Sequence, residues 1–263
     1  MLRILFISIL LMTFFSCSQQ HSKEQSKNYA RPKPELEKGN YNVAFLITDG
    51  TYNTEFTAPW DIYDHVRFRD VDKGMNLFTV SNTSNPITTF EGLKIQPDYN
   101  FLTEKIPHID ILVIPSAEHH LGSDLEDEKL VAFVKKTAEK ATWVTTHCDG
   151  SFLLAKTGLL DNRFCTTFPA DVQAMKDMFD GPRVMDSAII VQDSKYITSA
   201  GGAKSFEASL LLCNRLYGNA IAEELAEGMV VDWGPNTFKL DIELNKTPRD
   251  SQIVMIYRNV RPK

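Results

Sequence analysis

The sequence predicts an α/β fold, a doubly wound domain in which helices cover both faces of a mostly parallel sheet. Short apolar runs alternate with segments whose apolar residues recur at helical spacing. Several runs are apolar at every position, which is typical of parallel strands buried on both faces. The chain has 263 residues and a formal net charge of −6, values ordinary for a soluble globular protein.

The sequence of the first half of the domain predicts three strands and one helix. VAFLIT (43–48) is a continuous apolar run that Asp49 and Gly50 end. A helix is predicted over 57–68, with a proline in its first turn, where the missing N–H costs little. LFTVS (77–81) and DILVIP (110–115) are the next predicted strands, and a proline ends the second.

The second half continues the alternation. EDEKLVAFVKKTAEK (126–140) spaces apolar residues for a helix, and ATWVTTH (141–147) is a strand followed by a helix over 150–157. AKSFEASLLLCNRLYG (203–218) predicts a long amphipathic helix that its final glycine can end. Further strands are predicted over 164–168, 187–192 and 196–200.

The first 16 residues predict a signal peptide. Arg3 precedes a 12-residue apolar run over 4–15, which is shorter than the roughly 20 residues of a membrane-spanning helix. The FFSC sequence at 14–17, which begins at the end of this run, resembles the end of a bacterial lipoprotein signal, which implies that Cys17 is lipidated. A plain secretory signal is the alternative.

The expected location follows from this interpretation. The mature chain is expected to be exported and attached to the membrane through lipid at Cys17, at the periplasmic or cell-envelope face. Residues 17–40 are polar, contain two prolines and predict a flexible tether. The folded domain is then predicted over 41–263. A net negative charge without a basic cluster argues against nucleic acid as a partner.

The strand-to-helix turn around Cys148 is the main candidate site. A sharp turn of this kind exposes the side chain above the sheet and needs a small residue nearby, here Gly150. The N–H groups and dipole of the following helix favour a thiolate, so a thiol pKa below the usual value of about 8.5 is expected. A buried, inert cysteine is the alternative.

The other cysteines do not form a recognisable motif. Cys165 and Cys213 lie in predicted core positions and are expected to be inert, with a disulfide between them left open. No CxxC pair exists, which excludes a zinc ribbon or a thioredoxin-like motif.

The histidines allow more than one interpretation. His147 precedes Cys148 on a strand and is expected to point to the opposite face, in a packing role. His119 and His120 follow the strand that ends at Pro115. A solvated loop is the commoner interpretation for this pair, and a base or a metal ligand is the other. Neither a metal nor a cofactor is predicted.

Three segments carry a resemblance to a known family. THCDGSFLLAKTGLLDNRFCTTF (146–168) resembles the signature of the ThiJ/PfpI superfamily, and ITDGTYNTEFTAPWDIYD (47–64) resembles its first strand and turn. ITSAGGAKSFEASLLLCNRLYG (197–218) resembles its last strand, turn and helix. The similarity covers about residues 42–235. It implies a flavodoxin-like fold of the class I glutamine amidotransferase kind, nearest to isonitrile hydratases and the sensor domains of AraC-type regulators.

The resemblance also implies the roles of individual residues. Cys148 would be the nucleophile and Glu55 the carboxylate in contact with it. Burial beside a thiolate favours a protonated carboxyl, which can donate to sulfur and act as acid or base. Backbone N–H groups at Ala117 and Asp149 would form an oxyanion hole. The alternative for Glu55 is a solvated acid at a helix start.

The sequence departs from the family pattern at three places. Pro115-Ser116-Ala117 replaces the usual Pro-Gly-Gly, and Thr166-Thr167-Phe168 replaces Thr-Thr-His. Asp149 follows the nucleophile where peptidase-like members have histidine, so a Cys-His peptidase triad is not expected. A carboxylate there opposes formation of the thiolate by like charge.

Two functions are compatible with these residues. The first is a cysteine-dependent hydratase- or hydrolase-like enzyme acting on a small electrophile, an isonitrile or a 2-oxoaldehyde, with Cys148 as nucleophile and Glu55 as proton shuttle. The second is a non-catalytic module that binds a small molecule or senses redox state through its thiol. Relatives of this kind also imply a homodimer.

Overall fold

The computed structural model describes residues 32–234, 238–246 and 251–259. The predicted signal peptide, the predicted lipid attachment at Cys17 and most of the predicted tether lie outside the described residues.

Six α-helices and thirteen strands form the described part of the chain. The strands are β1 (Tyr41–Leu46), β2 (Met75–Ser81), β3 (Ile87–Thr88), β4 (Lys94–Ile95), β5 (Tyr99–Asn100), β6 (Ile111–Ile114), β7 (Trp143–His147), β8 (Phe164–Cys165), β9 (Arg183–Val184), β10 (Ile190–Asp193), β11 (Tyr196–Ser199), β12 (Phe238–Lys246) and β13 (Ser251–Asn259). The helices are α1 (Asn53–Asp64), α2 (Glu128–Lys140), α3 (Gly150–Lys156), α4 (Val172–Met178), α5 (Lys204–Tyr217) and α6 (Asn219–Gly228), with 3-10 turns at His65–Phe68 and Ser123–Leu125.

Nine strands form the main sheet, in the order β12-β13-β10-β11-β7-β6-β1-β2-β5. The pairs from β11 across to β5 are parallel, whereas β10 pairs antiparallel with both β11 and β13. The chain leaves β1 for β2 on one side and later returns to β6 on the other. Because the strand order reverses there, a ligand crevice is expected beyond the carboxyl ends of β1 and β6.

Helices cover both faces of this sheet, so the predicted doubly wound α/β class is confirmed. Along β1, Val43 and Phe45 face a core that includes α1 and α5 residues. The alternate residues Ala44 and Leu46 face a second core, built with α2 and α3 residues. This alternation of two apolar faces explains why the sequence of the strand is a continuous apolar run.

Several element boundaries differ from the sequence prediction, among them those of β8 and α1. The strand predicted over 164–168 is only the two-residue β8, which pairs with β9 outside the main sheet. It ends there because the Thr166 N–H donates to the Thr198 hydroxyl at 2.8 Å instead of to a neighbouring strand.

The first helix also differs from its prediction, since α1 begins at Asn53 and not at residue 57. The predicted helix end is a 3-10 turn, at His65–Phe68. The earlier start moves Pro59 from the first turn into the helix interior. A proline there has no N–H to donate to the carbonyl of Glu55, four residues earlier.

The last described residues extend the sheet. β12 and β13 pair antiparallel over their full nine residues, and β13 covers the edge of β10. Within the described ranges, no helix combines the length and apolar character needed to cross a membrane. The same ranges hold no cluster of side chains suited to a metal ion.

Candidate active site at a cysteine turn

The loops that follow β1, β6 and β7 come together at the reversal point of the sheet. Thr51, after β1, forms an isolated antiparallel bridge with Ala117, after β6. The Tyr52 N–H donates to the Ser116 carbonyl at 2.9 Å. These contacts hold the start of α1 against the turn after β6, and thereby place the buried Glu55 side chain in the first turn of α1.

Cys148 lies on a strained turn between β7 and α3. Its φ is +53°, a left-handed conformation that non-glycine residues rarely adopt. Its N–H donates to the Ser199 carbonyl at 3.0 Å, which fixes the turn to the neighbouring strand. A strained backbone held in this way is frequent at functional sites.

Two glycines make room for this turn. A Cβ at Gly150 would lie 2.2 Å from the Ile114 carbonyl oxygen, so the small residue expected after the cysteine is required by close packing on β6. A Cβ at Gly201 would lie 2.3 Å from the Cys148 Cβ, and Gly201 itself has a φ of +75°. The turn therefore depends on glycine both within it and across from it.

The carboxylate that hydrogen-bonds the thiol is that of Asp149. Cys148 Sγ donates to Asp149 Oδ2 at 3.6 Å, and the Thr167 hydroxyl donates to Asp149 Oδ1 at 2.9 Å. Thr167 therefore orients the carboxylate toward sulfur. Glu55 is 7% exposed and accepts from the Gly202 N–H at 2.8 Å. Glu55 interacts with the thiol through its charge and makes no hydrogen bond to it.

The expected low pKa of the Cys148 thiol is wrong. Burial, then the charges of Asp149 and Glu55, raise this pKa well above its ordinary value. The Ser116 side chain and the Asp149 backbone act in the opposite direction and are outweighed. The thiol is therefore protonated at neutral pH, which agrees with the sequence argument that Asp149 opposes the thiolate.

Burial also raises the pKa of Asp149, to about 6. The Thr167 hydrogen bond lowers this pKa, but by less than burial raises it. A carboxyl with a pKa near 6 exchanges a proton with its surroundings close to neutral pH, as acid–base catalysis requires.

The Ala117 N–H, expected to face an oxyanion, is already engaged. It donates to Nδ1 of His120 at 3.2 Å. His120 is 2% exposed, so the expectation of a solvated loop is wrong for this residue, while His119 is exposed. Burial lowers the pKa of His120 to about 3, and the ring is neutral. Among described residues, the Asp149 N–H is the remaining donor expected at the oxyanion position.

His147 and the two other described cysteines lie in the core. His147 is fully buried beside Ser199, whose hydroxyl lies 3.3 Å from Nδ1, and burial lowers its pKa to about 3. Cys165 and Cys213 are free and have no exposed surface. Burial raises the pKa of the Cys165 thiol to about 12. It raises the pKa of the Cys213 thiol by more.

Tyr52 and Phe90 border the site. Their rings stack with centroids 4.5 Å apart. Burial and then the charge of Cys148 raise the pKa of Tyr52. Phe168, in place of the family histidine, is exposed.

Sequence reasoning missed the Thr167 hydroxyl and the Gly202 N–H. It named His120 as a residue of a solvated loop, or as a base or metal ligand, but did not predict its hydrogen bond with the Ala117 N–H. Thr167 lies in a segment predicted as a strand, and His120 in one predicted as a solvated loop. The consecutive glycines after β11, at the same sheet edge as Cys148, were the available signal for a close backbone approach.

Curated sequences similar to this chain include both an enzyme and a regulator. An isonitrile hydratase from Pseudomonas putida is 26% identical over 176 residues, which cover 67% of this chain and 72% of that protein. The HTH-type transcriptional regulator GbdR from Pseudomonas aeruginosa is 24% identical over 208 residues, which cover 78% of this chain and 54% of the regulator. The chain thus spans about half of the regulator's length.

Solved structures show the same fold. A ThiJ/PfpI family protein from Pseudomonas syringae superposes with a TM-score of 0.65 at 22% identity, over 79% of this chain and 85% of that chain. Drosophila melanogaster DJ-1beta superposes with a TM-score of 0.63 at 18% identity, over 74% and 100%. The model of the DJ-1/PfpI family matches residues 41–214, more than half of the chain. The protein therefore belongs to the DJ-1/PfpI family, as its three sequence motifs predicted.

Proposed function

We propose that this protein is a cysteine-dependent, hydratase-like enzyme acting on a small electrophile. The preferred substrate is an isonitrile, and a 2-oxoaldehyde is the second choice. The observation that carries the proposal is the pair of Cys148 and Asp149, in which a strained turn presents a thiol to an oriented carboxylate. The similarity to an isonitrile hydratase from Pseudomonas putida supports the choice of substrate.

In this mechanism Asp149 takes the role of base. The raised pKa of Cys148 means that the thiol must lose its proton as it attacks. At pH 7 most Asp149 carboxyls are ionised, because their pKa is about 6. The proton therefore passes from sulfur to Asp149 while the new bond forms. Glu55, held by the Gly202 N–H, orders the turn beside the thiol and relays protons to the hydrolytic water.

Hydration of an isonitrile at this site begins with the thiol. Sulfur bonds to the terminal carbon, and that carbon receives the proton held by Asp149, which gives a thioimidate. Water then adds across the carbon–nitrogen double bond, its oxygen going to carbon and its proton to nitrogen. The carbon–sulfur bond breaks, the hydroxyl becomes a formyl group, and its proton returns to sulfur. The product is an N-substituted formamide, and the cysteine is restored.

The direct test compares formamide release by the wild type, Cys148→Ser and Cys165→Ala. We expect Cys148→Ser to lose at least a hundredfold in turnover, because its less acidic hydroxyl is a weak nucleophile. Cys165→Ala removes another free, buried cysteine and controls for the effect of losing a buried thiol on folding. Equal turnover by wild type and Cys148→Ser, on isonitriles and 2-oxoaldehydes alike, would rule out the mechanism.

A binding module is the second candidate, favoured by the engaged Ala117 N–H and the protonated thiol. Its ligand would occupy the same turn without reacting. Thermal unfolding with and without isonitriles and 2-oxoaldehydes distinguishes the two. Stabilisation without turnover supports binding alone. Selective oxidation of Cys148 by peroxide, measured by mass spectrometry, would instead support redox sensing.

We also propose that the mature chain is an exported lipoprotein attached to the membrane through Cys17 and that it forms a homodimer. The apolar run over 4–15, followed directly by Ser16 and Cys17, supports the lipoprotein. Metabolic labelling with a radioactive fatty acid should mark the wild type and leave Cys17→Ala unmarked. Absence of label from both would overturn the lipoprotein, and a monomer mass from light scattering would overturn the dimer.

A further inference from the structure

The turn that follows β6 is closed internally by His120. The Ala117 N–H donates to His120 Nδ1 at 3.2 Å, and the backbone N–H of His120 donates to the Ala117 carbonyl at 3.0 Å. Both polar groups of the Ala117 backbone that face this turn are therefore bound to one residue. Because Nδ1 accepts a hydrogen bond, the proton of the neutral ring lies on Nε2.

Neighbouring groups hold the ring in this orientation. His120 Nε2 lies 3.7 Å from Asp124 Oδ2, on the 3-10 turn that follows. The ring also interacts with the backbone of Asp149, next to the nucleophile. His120 thus connects the turn after β6 to the turn of Cys148, and its 2% exposure leaves little room for another rotamer.

The hydrogen bond from the Ala117 N–H to His120 limits which reaction intermediates the site can stabilise. A carbonyl that is attacked by sulfur becomes an oxyanion, which usually receives two N–H donors. Here the Ala117 N–H is directed to His120. Of the two expected donors, this leaves the Asp149 N–H, which also interacts with the Cys148 thiol. The attack of sulfur on an isonitrile places the proton on carbon and forms no oxyanion in that step.

We propose that His120 is a positioning residue that diverts the Ala117 N–H from the reacting atoms, and so selects isonitrile-like electrophiles over carbonyl compounds. The inference rests on the proposed function, because it names the substrate class of the same site. The inference distinguishes isonitriles from 2-oxoaldehydes, the two substrate classes that the proposed function leaves open.

The test compares two reagents on Cys148 within the full chain. Iodoacetamide alkylates sulfur without an oxyanion: the carbon–sulfur bond forms, iodide leaves, and the thiol proton goes to solvent. p-Nitrophenyl acetate passes through an oxyanion: sulfur bonds to the carbonyl carbon, p-nitrophenolate leaves, and the thiol proton again goes to solvent. Mass spectrometry of the Cys148 peptide measures both rates. Their ratio cancels changes in thiol pKa or access that affect both reagents.

Two substitutions separate the hydrogen bond from the volume of the ring. His120→Leu removes the acceptor, and His120→Asn retains an acceptor oxygen at the same distance along the side chain as Nδ1. We expect His120→Leu to raise the ratio of acylation to alkylation by about tenfold or more, and His120→Asn to keep it within about threefold of wild type. An unchanged ratio in His120→Leu, or an equal rise in both variants, would overturn the inference.

Turnover of isonitriles is measured separately and tests the proposed function. If wild type shows no turnover and the ratio still rises in His120→Leu, the enzyme proposal fails while the diversion of the Ala117 N–H is supported. If wild type hydrates isonitriles and the ratio does not respond, the role of His120 fails while the enzyme proposal stands.

Discussion

Cys148 adopts a left-handed backbone conformation, and Gly201 leaves the space that this conformation needs. The φ of +53° turns the Cβ of Cys148 toward the loop after β11, where a side chain on Gly201 would overlap it. The consecutive Gly202 supplies the N–H that binds Glu55. Gly201 is therefore needed for close packing, whereas the adjacent Gly202 provides a hydrogen bond.

Gly201→Ala should displace the nucleophile and destabilise the fold, since its Cβ would lie 2.3 Å from that of Cys148 and its φ is +75°. We expect a loss of about 2 kcal/mol in the free energy of unfolding, measured with urea. Gly202→Ala is the matched control, because it also has a positive φ and a Cβ there would meet no other atom within 4 Å. Equal losses in both variants would contradict the packing argument.

Asp149 has two opposing effects on Cys148, and substitution separates them. Asp149→Asn removes a charge that raises the thiol pKa, so alkylation at a given pH should become faster and its midpoint should move to lower pH. Turnover should fall by about a hundredfold or more, because the base is lost. Alkylation rates against pH and formamide release measure the two effects. A parallel fall in both rates would show that Asp149 only maintains the structure.

The α2 helix illustrates how local signals define an element. The side chain of Asp127 accepts from the N–H groups of Lys129 and Leu130 at 3.0 and 3.1 Å. At the other end, the Lys195 ammonium donates to the carbonyls of Ala138 and Ala141. The sequence located this helix within two residues at its start, because the spacing of its apolar residues is a local feature.

Asp127→Ala should cost about 1 kcal/mol in the free energy of unfolding, because two backbone N–H groups lose their acceptor. Asp171 occupies the same position before α4 but makes no side-chain hydrogen bond to that helix, so Asp171→Ala is the control. Urea unfolding measures both. A loss in Asp171→Ala as large as that in Asp127→Ala would argue against capping.

At the scale of the whole molecule, the fold buries two neutral histidines, His147 at the end of β7 and His120 in the turn after β6. Burial lowers the pKa values of His147 and His120 to about 3. The unfolded chain therefore binds more protons than the folded chain between about pH 6.5 and pH 3, and stability falls as pH falls through that window. Titration of Asp149 has the opposite effect on stability between about pH 6 and pH 4, because the pKa of this carboxyl is raised in the folded state.

His147→Asn should make stability less dependent on pH. Each buried neutral histidine costs up to about 1.4 kcal/mol for each pH unit below 6, and asparagine does not titrate. Urea unfolding at pH 7 and pH 5 should therefore show a smaller difference in the variant than in the wild type. His108→Asn, at an exposed position, controls for loss of a histidine. An unchanged difference in His147→Asn would mean that the ring is charged or hydrated.

The sequence by itself determined the fold class, most of the sheet and the turn that carries Cys148. These depend on local patterns: continuous apolar runs, helical spacing, and a glycine two residues after the cysteine. The family resemblance added Glu55, which lies far from Cys148 along the chain. Only the tertiary structure decided the state of the site. Burial and two carboxylates together raise the thiol pKa, and packing between two loops buries His120 against the Ala117 N–H. Desolvation and hydrogen-bond pairing arise when segments that are distant along the chain pack together, so local sequence patterns do not predict them.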